Sequence, residues 1–156
     1  LYTVLLKRRT PLGVVVGGFA GGMPALGGWS AVRGLTVEGF LITLLIAFWS
    51  MTHIWLLAAY FRGDYMRARV PMLPVVIGER KGVLAALAAL TLAELCVLAM
   101  YVLRMVSLIG LALTLLAYLA LLRVGLEAAA GSRKRTWLSF KMASVYLATV
   151  MFALFV

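Results

Sequence analysis

One acidic residue, Asp64, lies among three arginines, Arg62, Arg67 and Arg69, in the segment RGDYMRAR. Guanidinium groups bind phosphate oxygens bidentately, and Mg²⁺ prefers one or two carboxylates together with substrate phosphates and water. The pattern therefore indicates a site that binds a polyanion and a divalent metal, with Asp64 as the metal ligand. The alternative is an ordinary basic loop at a membrane surface, where positive charge is common without any ligand.

His53, in FWSMTHIW, is the single histidine of the chain and precedes Asp64 by eleven residues. On a continuous helix that separation is about 16 Å, or three turns, so both side chains would point to broadly one side. An ionisable residue inside an apolar segment is rare and often functional, although a hydrogen bond to a neighbouring helix is the alternative for His53. Glu94, the single acid of a later apolar segment, is interpreted as a structural hydrogen-bonding group.

The composition predicts an all-α integral membrane helical bundle. Hydrophobic residues make up 65% of the chain and the mean hydropathy is +1.08, yet the formal net charge is +10. Apolar spans joined by basic loops explain this combination, whereas a nucleic-acid-binding protein needs its charge on a solvated face. The sequence contains no HExxH, serine elbow or phosphate-binding glycine motif, so a soluble hydrolase or dehydrogenase is not supported.

Five segments have the length and apolarity of a bilayer crossing, which needs about 20 residues. The predicted transmembrane helices cover residues 12–32, 37–61, 82–103, 105–122 and 137–156. The first holds seven glycines and Pro24, which predicts a kinked helix packed closely against a neighbour. The long connection 62–81 carries the Asp64 cluster, and we expect it to be a functional loop of irregular backbone.

The distribution of basic residues predicts the topology. If the N-terminus lies in the cytoplasm, 13 of the 15 Lys and Arg residues fall on the cytoplasmic side, including Lys7, Arg8 and Arg9. Only Arg33 and Arg104 then lie outside. The positive-inside rule therefore places the N-terminus of this chain and the 62–81 loop in the cytoplasm and the C-terminus outside the plasma membrane.

Two stretches, KRRTPLGVVVGGFAGGMPALGGWSAV and FWSMTHIWLLAAYFRGDYMRARVPMLPVVIGER, resemble signature regions of the haem O synthase branch of the UbiA prenyltransferase superfamily. The final SFKMASVYLATVMFALFV is similar to the last helix of that family. The resemblance implies a nine-helix bundle around a central cavity, of which this chain corresponds to the C-terminal five helices. We therefore expect a piece of a longer protein. The family's other motif, NxxxDxxxD, has no match here because the chain contains no asparagine, so the piece alone is expected to be inactive.

The resemblance also implies a polyprenyl transferase activity. A farnesyl group would pass from farnesyl diphosphate to the vinyl group of protohaem IX (haem B), giving haem O for haem–copper terminal oxidases. Asp64 would be the catalytic residue that holds Mg²⁺, and His53 would position the haem. The residues implied to bind the diphosphate are Arg62, Arg67, Arg69 and Lys81. The expected partners are farnesyl diphosphate, haem B and the lipid bilayer, with a haem A synthase or an oxidase-assembly factor as the candidate protein partner.

Three positions depart from the family pattern. Thr52 stands where proline is frequent, Gly63 where a lysine or an acid is frequent, and Ala68 where the wider superfamily has a second aspartate. The haem branch usually lacks that aspartate too, so Ala68 supports the branch assignment. The rival interpretations are a prenyltransferase for aromatic acceptors, a truncated inactive homologue and a non-catalytic membrane subunit.

Overall fold

The structure is a computed structural model that describes residues 10, 11 and 13–156. Lys7, Arg8, Arg9 and Leu12, which enter the predicted topology and the first predicted span, lie outside the described residues. The elements are α1 (Gly13–Arg33), α2 (Val37–Tyr60), α3 (Arg62–Arg67), α4 (Leu73–Ile77), α5 (Glu79–Val102), α6 (Leu108–Ala129) and α7 (Arg133–Ala153). No strand occurs in the described part of the chain, which confirms the predicted all-α class.

Four of the helices, α2, α5, α6 and α7, are long and apolar enough to cross a bilayer. Large apolar side chains such as Leu116 and Leu119 on α6 are exposed, as expected for a surface that faces lipid. The chain is therefore a multi-pass membrane protein. Helix α1 forms where the first span was expected, but it is not among the four helices that meet this length and apolarity, so its role as a fifth span stays a prediction.

At the connection between them, the last two long helices extend beyond the apolar segments that predicted them. Helix α6 ends at Ala129 and α7 begins at Arg133, so only three residues connect them. Arg135 Nε and Glu127 Oε2, 2.8 Å apart, form an ion pair across this connection. Hydropathy marks only the part of a helix that lies in lipid, whereas the backbone stays helical through the charged ends.

Helix α2 is central and packs against α1, α5 and α7, while α6 completes a four-helix bundle by contacting α5 and α7. Inside that bundle the Tyr146 hydroxyl donates to Glu94 Oε2 at 2.9 Å, and the Thr114 hydroxyl donates to Glu94 Oε1 at 3.3 Å. All three side chains are buried. Glu94 thus ties α5, α6 and α7 together, which confirms its structural interpretation.

Helix α1 packs on α2 through glycines. A Cβ atom on Gly18 would lie 2.9 Å from the carbonyl oxygen of Ala47, and one on Gly22 would lie 2.6 Å from that of Thr43. Two glycines four residues apart let the two backbones approach more closely than any other residue would permit. The predicted close packing of the glycine-rich segment is confirmed.

Candidate active site

The Asp64 cluster lies on a short helix rather than on irregular backbone. Helix α2 ends at Tyr60, the chain bends at Phe61, and α3 begins at Arg62. Helix α3 ends where the Arg69 N–H donates to the Met66 carbonyl at 3.1 Å and Arg69 adopts φ +52°. This is a Schellman-type ending whose left-handed position usually belongs to glycine. The connection 62–81 is therefore largely helical, because local capping bonds satisfy its backbone groups.

The VPMLPVV segment fixes α3 against the bundle. Pro74 lies in the first turn of α4, and a Cβ atom on Gly82 of α5 would lie 2.6 Å from Pro74. Arg62 Nε donates to the Pro74 carbonyl oxygen at 3.1 Å. This hydrogen bond joins α3 to α4, and α4 in turn packs against the start of α5.

A cavity of about 600 Å³ opens beside α3. Three of the sequence-predicted site residues line it, Arg62, Asp64 and Arg67. Asp64 and Arg67 form an ion pair with each other. Two charged residues from other elements line the same cavity, Glu79 at the start of α5 and Arg133 at the start of α7. The remaining lining residues are Ala59, Tyr60, Phe61, Gly63, Met66 and Gly131. Two carboxylates and three guanidinium groups therefore lie around one cavity.

The other three predicted site residues do not line this cavity. Arg69 is exposed at the end of α3, and Lys81 is exposed in the first turn of α5. His53 lies further along α2, with its ring 5.2 Å from that of Trp49 and 4.4 Å from that of Phe140. The helix is interrupted at Phe61, so the estimate of three continuous turns between His53 and Asp64 is wrong.

One nitrogen of the His53 ring makes no hydrogen bond to a neighbouring helix among the described residues. Nδ1 is buried and has no hydrogen-bond partner within the described residues. Buried polar atoms are normally satisfied, so an unpartnered imidazole nitrogen is a group that a ligand or an ordered water would be expected to complete.

The charged groups of the cavity fit a magnesium–diphosphate complex. The described residues contain no group of three or more side chains that could enclose a metal ion without other ligands. Mg²⁺ does not require such a group, since it binds one or two carboxylates and takes its remaining ligands from substrate phosphates and water. Asp64 and Glu79 could supply the carboxylates, while Arg62, Arg67 and Arg133 provide positive charge for phosphate oxygens.

Comparison with known proteins gives the family of this chain. The family model described as "UbiA prenyltransferase family" matches residues 1–153. The chain belongs to the UbiA prenyltransferase family. Its curated relatives include proteins named protoheme IX farnesyltransferase from Thermofilum pendens, 44% identical over 94% of this chain and 53% of that protein, and from Archaeoglobus fulgidus, 36% identical over 99% and 55%. A protein of the same name from Hyperthermus butylicus is 59% identical over 76 residues, which are 48% of this chain and 26% of the relative.

The chain spans about half the length of the two relatives that match nearly all of it. No solved structure matches it. The UbiA family assignment thus agrees with the resemblance carried by the 62–81 connection.

Sequence reasoning missed Glu79, Arg133 and Tyr60, which also line the cavity beside α3. Glu79 lies in the segment IGERK, and Arg133 lies in the basic segment SRKR between two apolar segments. The available signal was their charge at the boundary of an apolar segment, the same signal that singled out Asp64. Only the tertiary structure shows that they share one cavity with Asp64.

A second cavity, of about 380 Å³ and mostly apolar, lies between α1, α2 and the connection. Its walls include Gly17 of α1, Leu57 of α2 and Tyr65, which follows Asp64. An apolar space of this kind is suited to a hydrocarbon chain.

Proposed function

We propose that this protein transfers a farnesyl group from farnesyl diphosphate to a vinyl group of protohaem IX and so forms haem O. The observation that carries the proposal is the cavity in which Asp64 and Glu79 face Arg62, Arg67 and Arg133. It supplies carboxylates for a metal and cations for a diphosphate. The acceptor and the prenyl length are taken from the relatives, which are named protoheme IX farnesyltransferases.

In this proposal the bond between the allylic carbon and the diphosphate oxygen breaks, and the diphosphate leaves with the electron pair. Arg62, Arg67 and Arg133 stabilise the negative charge that develops on the leaving group. Mg²⁺, held by Asp64 and Glu79, would neutralise the same charge. The vinyl group then attacks the allylic carbon, and water adds to the resulting cationic carbon, loses a proton and leaves a hydroxyl group.

The cavities separate the polar and apolar parts of the donor. The diphosphate would occupy the 600 Å³ cavity, and the farnesyl chain would enter the apolar cavity lined by Tyr65, away from water. Arg69 and Lys81 lie outside both cavities and are exposed. Their proposed contribution is to attract the diphosphate to the site through their charge.

The proposed location is the plasma membrane, with the α3 side of the bundle in the cytoplasm, because 13 of the 15 basic residues then lie inside. That orientation presents the cavity to water-soluble magnesium and to diphosphate headgroups on the cytoplasmic side. A haem A synthase or an oxidase-assembly factor is the proposed protein partner, since either would receive a poorly soluble haem directly.

The test is expression of the open reading frame that encodes this chain in a host lacking its own haem O synthase. Extracted haems are then weighed by mass spectrometry. A species heavier than haem B by one farnesyl group plus water would establish donor, acceptor and reaction together. If only haem B accumulated although the protein was folded in the membrane, the haem assignment would be abandoned and aromatic acceptors would be screened.

The same assay tests the metal ligands. Asp64→Asn and Glu79→Gln should each lower haem O formation at least about 100-fold, because loss of a metal ligand removes several kcal/mol of transition-state stabilisation. Glu127→Gln is the matched control, since Glu127 pairs with Arg123 and Arg135 and does not line the cavity. Full activity in Asp64→Asn would place the metal elsewhere.

A further inference from the structure

A cavity of about 590 Å³ opens at the end of the bundle opposite the Asp64 cluster. Helix α2 begins at Val37, between two residues that line this cavity, and ends at Tyr60, which lines the other one. Its 24 residues therefore separate the two cavities by about 36 Å. The walls come from the end of α1, the start of α2, the connection between α5 and α6 and the residues that follow α7. The volume is that of a ligand pocket, which is about 300–1,000 Å³.

Two arginines from distant parts of the sequence line this cavity, Arg33 at the end of α1 and Arg104 between α5 and α6. They are the two basic residues that the predicted topology places on the outer side of the membrane. Both are exposed, and neither takes part in an ion pair formed within the described part of the chain. The positive-inside rule explains the other basic residues, but it does not explain why these two converge on one cavity.

The backbone at Arg104 is strained. Arg104 adopts φ +59°, a left-handed conformation that favours glycine. Its N–H donates to the Tyr101 carbonyl oxygen at 3.0 Å and closes the end of α5. Glycine would make the same backbone bond without strain, so the turn itself does not require an arginine. Strained residues cluster at ligand-binding sites, and the guanidinium group is the part of Arg104 that a ligand could use.

Trp29 holds Arg33 beside the cavity. The indole Nε1 donates to the Thr36 hydroxyl at 2.9 Å, which fixes the ring between the end of α1 and the start of α2. The guanidinium carbon of Arg33 lies 5.9 Å from the centroid of that ring, within the range of a cation–π contact. Tryptophan is enriched where membrane and water meet, so its position indicates that the cavity lies at the depth of the lipid headgroups.

The cavity has an apolar rim of exposed side chains, namely Val32, Leu35 and Phe40 next to the α1–α2 connection and Phe155 in the cavity wall. A site for a small soluble anion does not need such a rim. Exposed apolar patches mark surfaces that contact lipid or another protein, and acyl chains would cover this one. The rim therefore favours an anion that carries hydrocarbon chains.

The charges around the cavity indicate the charge of the ligand. Glu38, in the first turn of α2, is the one acidic residue among the described residues that line it. It interacts electrostatically with Arg33 but does not form an ion pair with it. Two guanidinium groups and one carboxylate leave a net charge of +1. A ligand with a single negative charge would neutralise the site, and hydroxyl groups on that ligand could donate hydrogen bonds to Glu38.

We propose that this cavity binds the headgroup of an anionic phospholipid, a phosphodiester that has one negative charge and a hydroxyl-bearing substituent. Arg33 and Arg104 bind the phosphate oxygens, the hydroxyl groups donate to Glu38, and the acyl chains cover the apolar rim. The site lies at the far end of α2 from the Asp64 cavity, so it goes beyond the proposed function and adds no residue to that reaction.

The test measures lipid contact at Trp29 in bilayers. The protein is reconstituted in phosphatidylcholine vesicles that contain a small share of a nitroxide-labelled lipid, with the label at the headgroup end of one acyl chain, where it quenches nearby tryptophan fluorescence. The labelled lipid is phosphatidylglycerol, phosphatidylmethanol or phosphatidylcholine. Phosphatidylmethanol has the same charge as phosphatidylglycerol but no hydroxyl groups. Comparison with Trp29→Phe isolates the signal of Trp29 from that of the other three tryptophans.

Two steps of preference are expected in the wild type. Phosphatidylmethanol should be preferred over phosphatidylcholine about fivefold, because one net charge at a membrane surface contributes about that factor. Phosphatidylglycerol should be preferred over phosphatidylmethanol by about a further fivefold, because its hydroxyl groups bind Glu38. Inorganic phosphate should not change the quenching when it is compared with chloride at the same ionic strength.

Three variants separate the two steps. Glu38→Leu removes the hydroxyl step and, at a net charge of +2, should raise the charge step to about 25-fold. Arg33→Gln/Arg104→Gln gives a net charge of −1 and should make phosphatidylcholine the preferred lipid. Arg80→Gln/Lys134→Gln removes the same total charge from exposed residues at the other end of the bundle and should leave quenching at Trp29 unchanged.

The wild type alone can overturn the proposal, so a double variant that fails to fold does not weaken the test. Equal quenching by phosphatidylglycerol and phosphatidylmethanol would reduce the site to a patch of surface charge. Displacement of labelled phosphatidylglycerol by inorganic phosphate would assign the cavity to a soluble anion instead of a lipid. An unchanged order of lipids in a folded Arg33→Gln/Arg104→Gln protein would also overturn it. Haem O formation is measured separately, so failure of the lipid site leaves the proposed function untouched.

Discussion

The substitution Gly22→Ala tests the close packing that holds α1 on the helix carrying His53. The added Cβ would lie 2.6 Å from the Thr43 carbonyl oxygen and 3.0 Å from its methyl carbon, whereas ordinary contact begins at 3.4 Å. The two helices would therefore have to separate by about 0.8 Å at this point. Because the nearest atom is backbone, it cannot rotate away as a flexible side chain would.

Gly27→Ala is the matched control, since a Cβ on Gly27 of the same helix would meet nothing within 4 Å. Both variants gain up to about 1 kcal/mol from the higher helix propensity of alanine. Their difference therefore isolates the cost of the close contact, which overpacking data put at about 1–3 kcal/mol. We expect the free energy of unfolding of Gly22→Ala to be lower than that of Gly27→Ala by that amount.

The assay is reversible unfolding in mixed micelles, followed by circular dichroism, with both variants measured beside the wild type. A Gly22→Ala protein as stable as Gly27→Ala would show that α1 and α2 are not in backbone contact, and the packing argument for the glycine-rich helix would fall. A loss of stability in Gly27→Ala instead would mean that its exposed face contacts another segment.

Two further substitutions separate structural from functional roles. Arg69→Gly should raise the free energy of unfolding by about 1 kcal/mol, because Arg69 adopts φ +52°. The same variant should lower haem O formation if the charge of Arg69 attracts the diphosphate. Arg104→Gly, at φ +59° on the opposite end of the bundle, is the control and should stabilise the protein equally without any loss of activity. Equal activity of both would remove Arg69 from the site. Tyr146→Phe leaves Glu94 Oε2 without its donor and should lower the free energy of unfolding by about 0.6–1.7 kcal/mol. Tyr101→Phe is the control, because the Tyr101 hydroxyl makes no hydrogen bond to the described residues, and it should leave that free energy unchanged. A Tyr146→Phe protein of wild-type stability would contradict the proposed bracing of three helices by Glu94.

The fold could be predicted from the sequence because the hydropathy of a segment indicates whether it lies in lipid or in water. Four of the five predicted spans correspond to long apolar helices, and the glycines of the first segment correctly predicted its close packing. Helix ends were predicted less well. The apolar pattern ends at the edge of the lipid, but α6 and α7 both include charged residues beyond that edge. The chain turns between the two helices at Gly131, which adopts φ +105°.

Three of the five charged residues of the candidate site could also be predicted, since Arg62, Asp64 and Arg67 are neighbours in sequence and one short helix presents them to one cavity. The residues that sequence reasoning missed come from elsewhere. Glu79 and Arg133 reach the cavity only because α5 and α7 begin at the same end of the bundle. Arg69 and Lys81 were grouped with the site by charge, but the ending of α3 and the exposure of the first turn of α5 keep them outside the cavity.

By itself the sequence determined the class of the protein, its helices, its basic connection and its family resemblance, because each depends on residues close together in the chain. The tertiary structure alone decided which charges share a cavity. It also decided that the His53 ring of α2 contacts Phe140 of α7, which stacks on Trp137 of the same helix. The physical reason is that those contacts depend on which faces α2, α5 and α7 bury against one another. That choice is a property of the packed bundle and has no signature in any single segment.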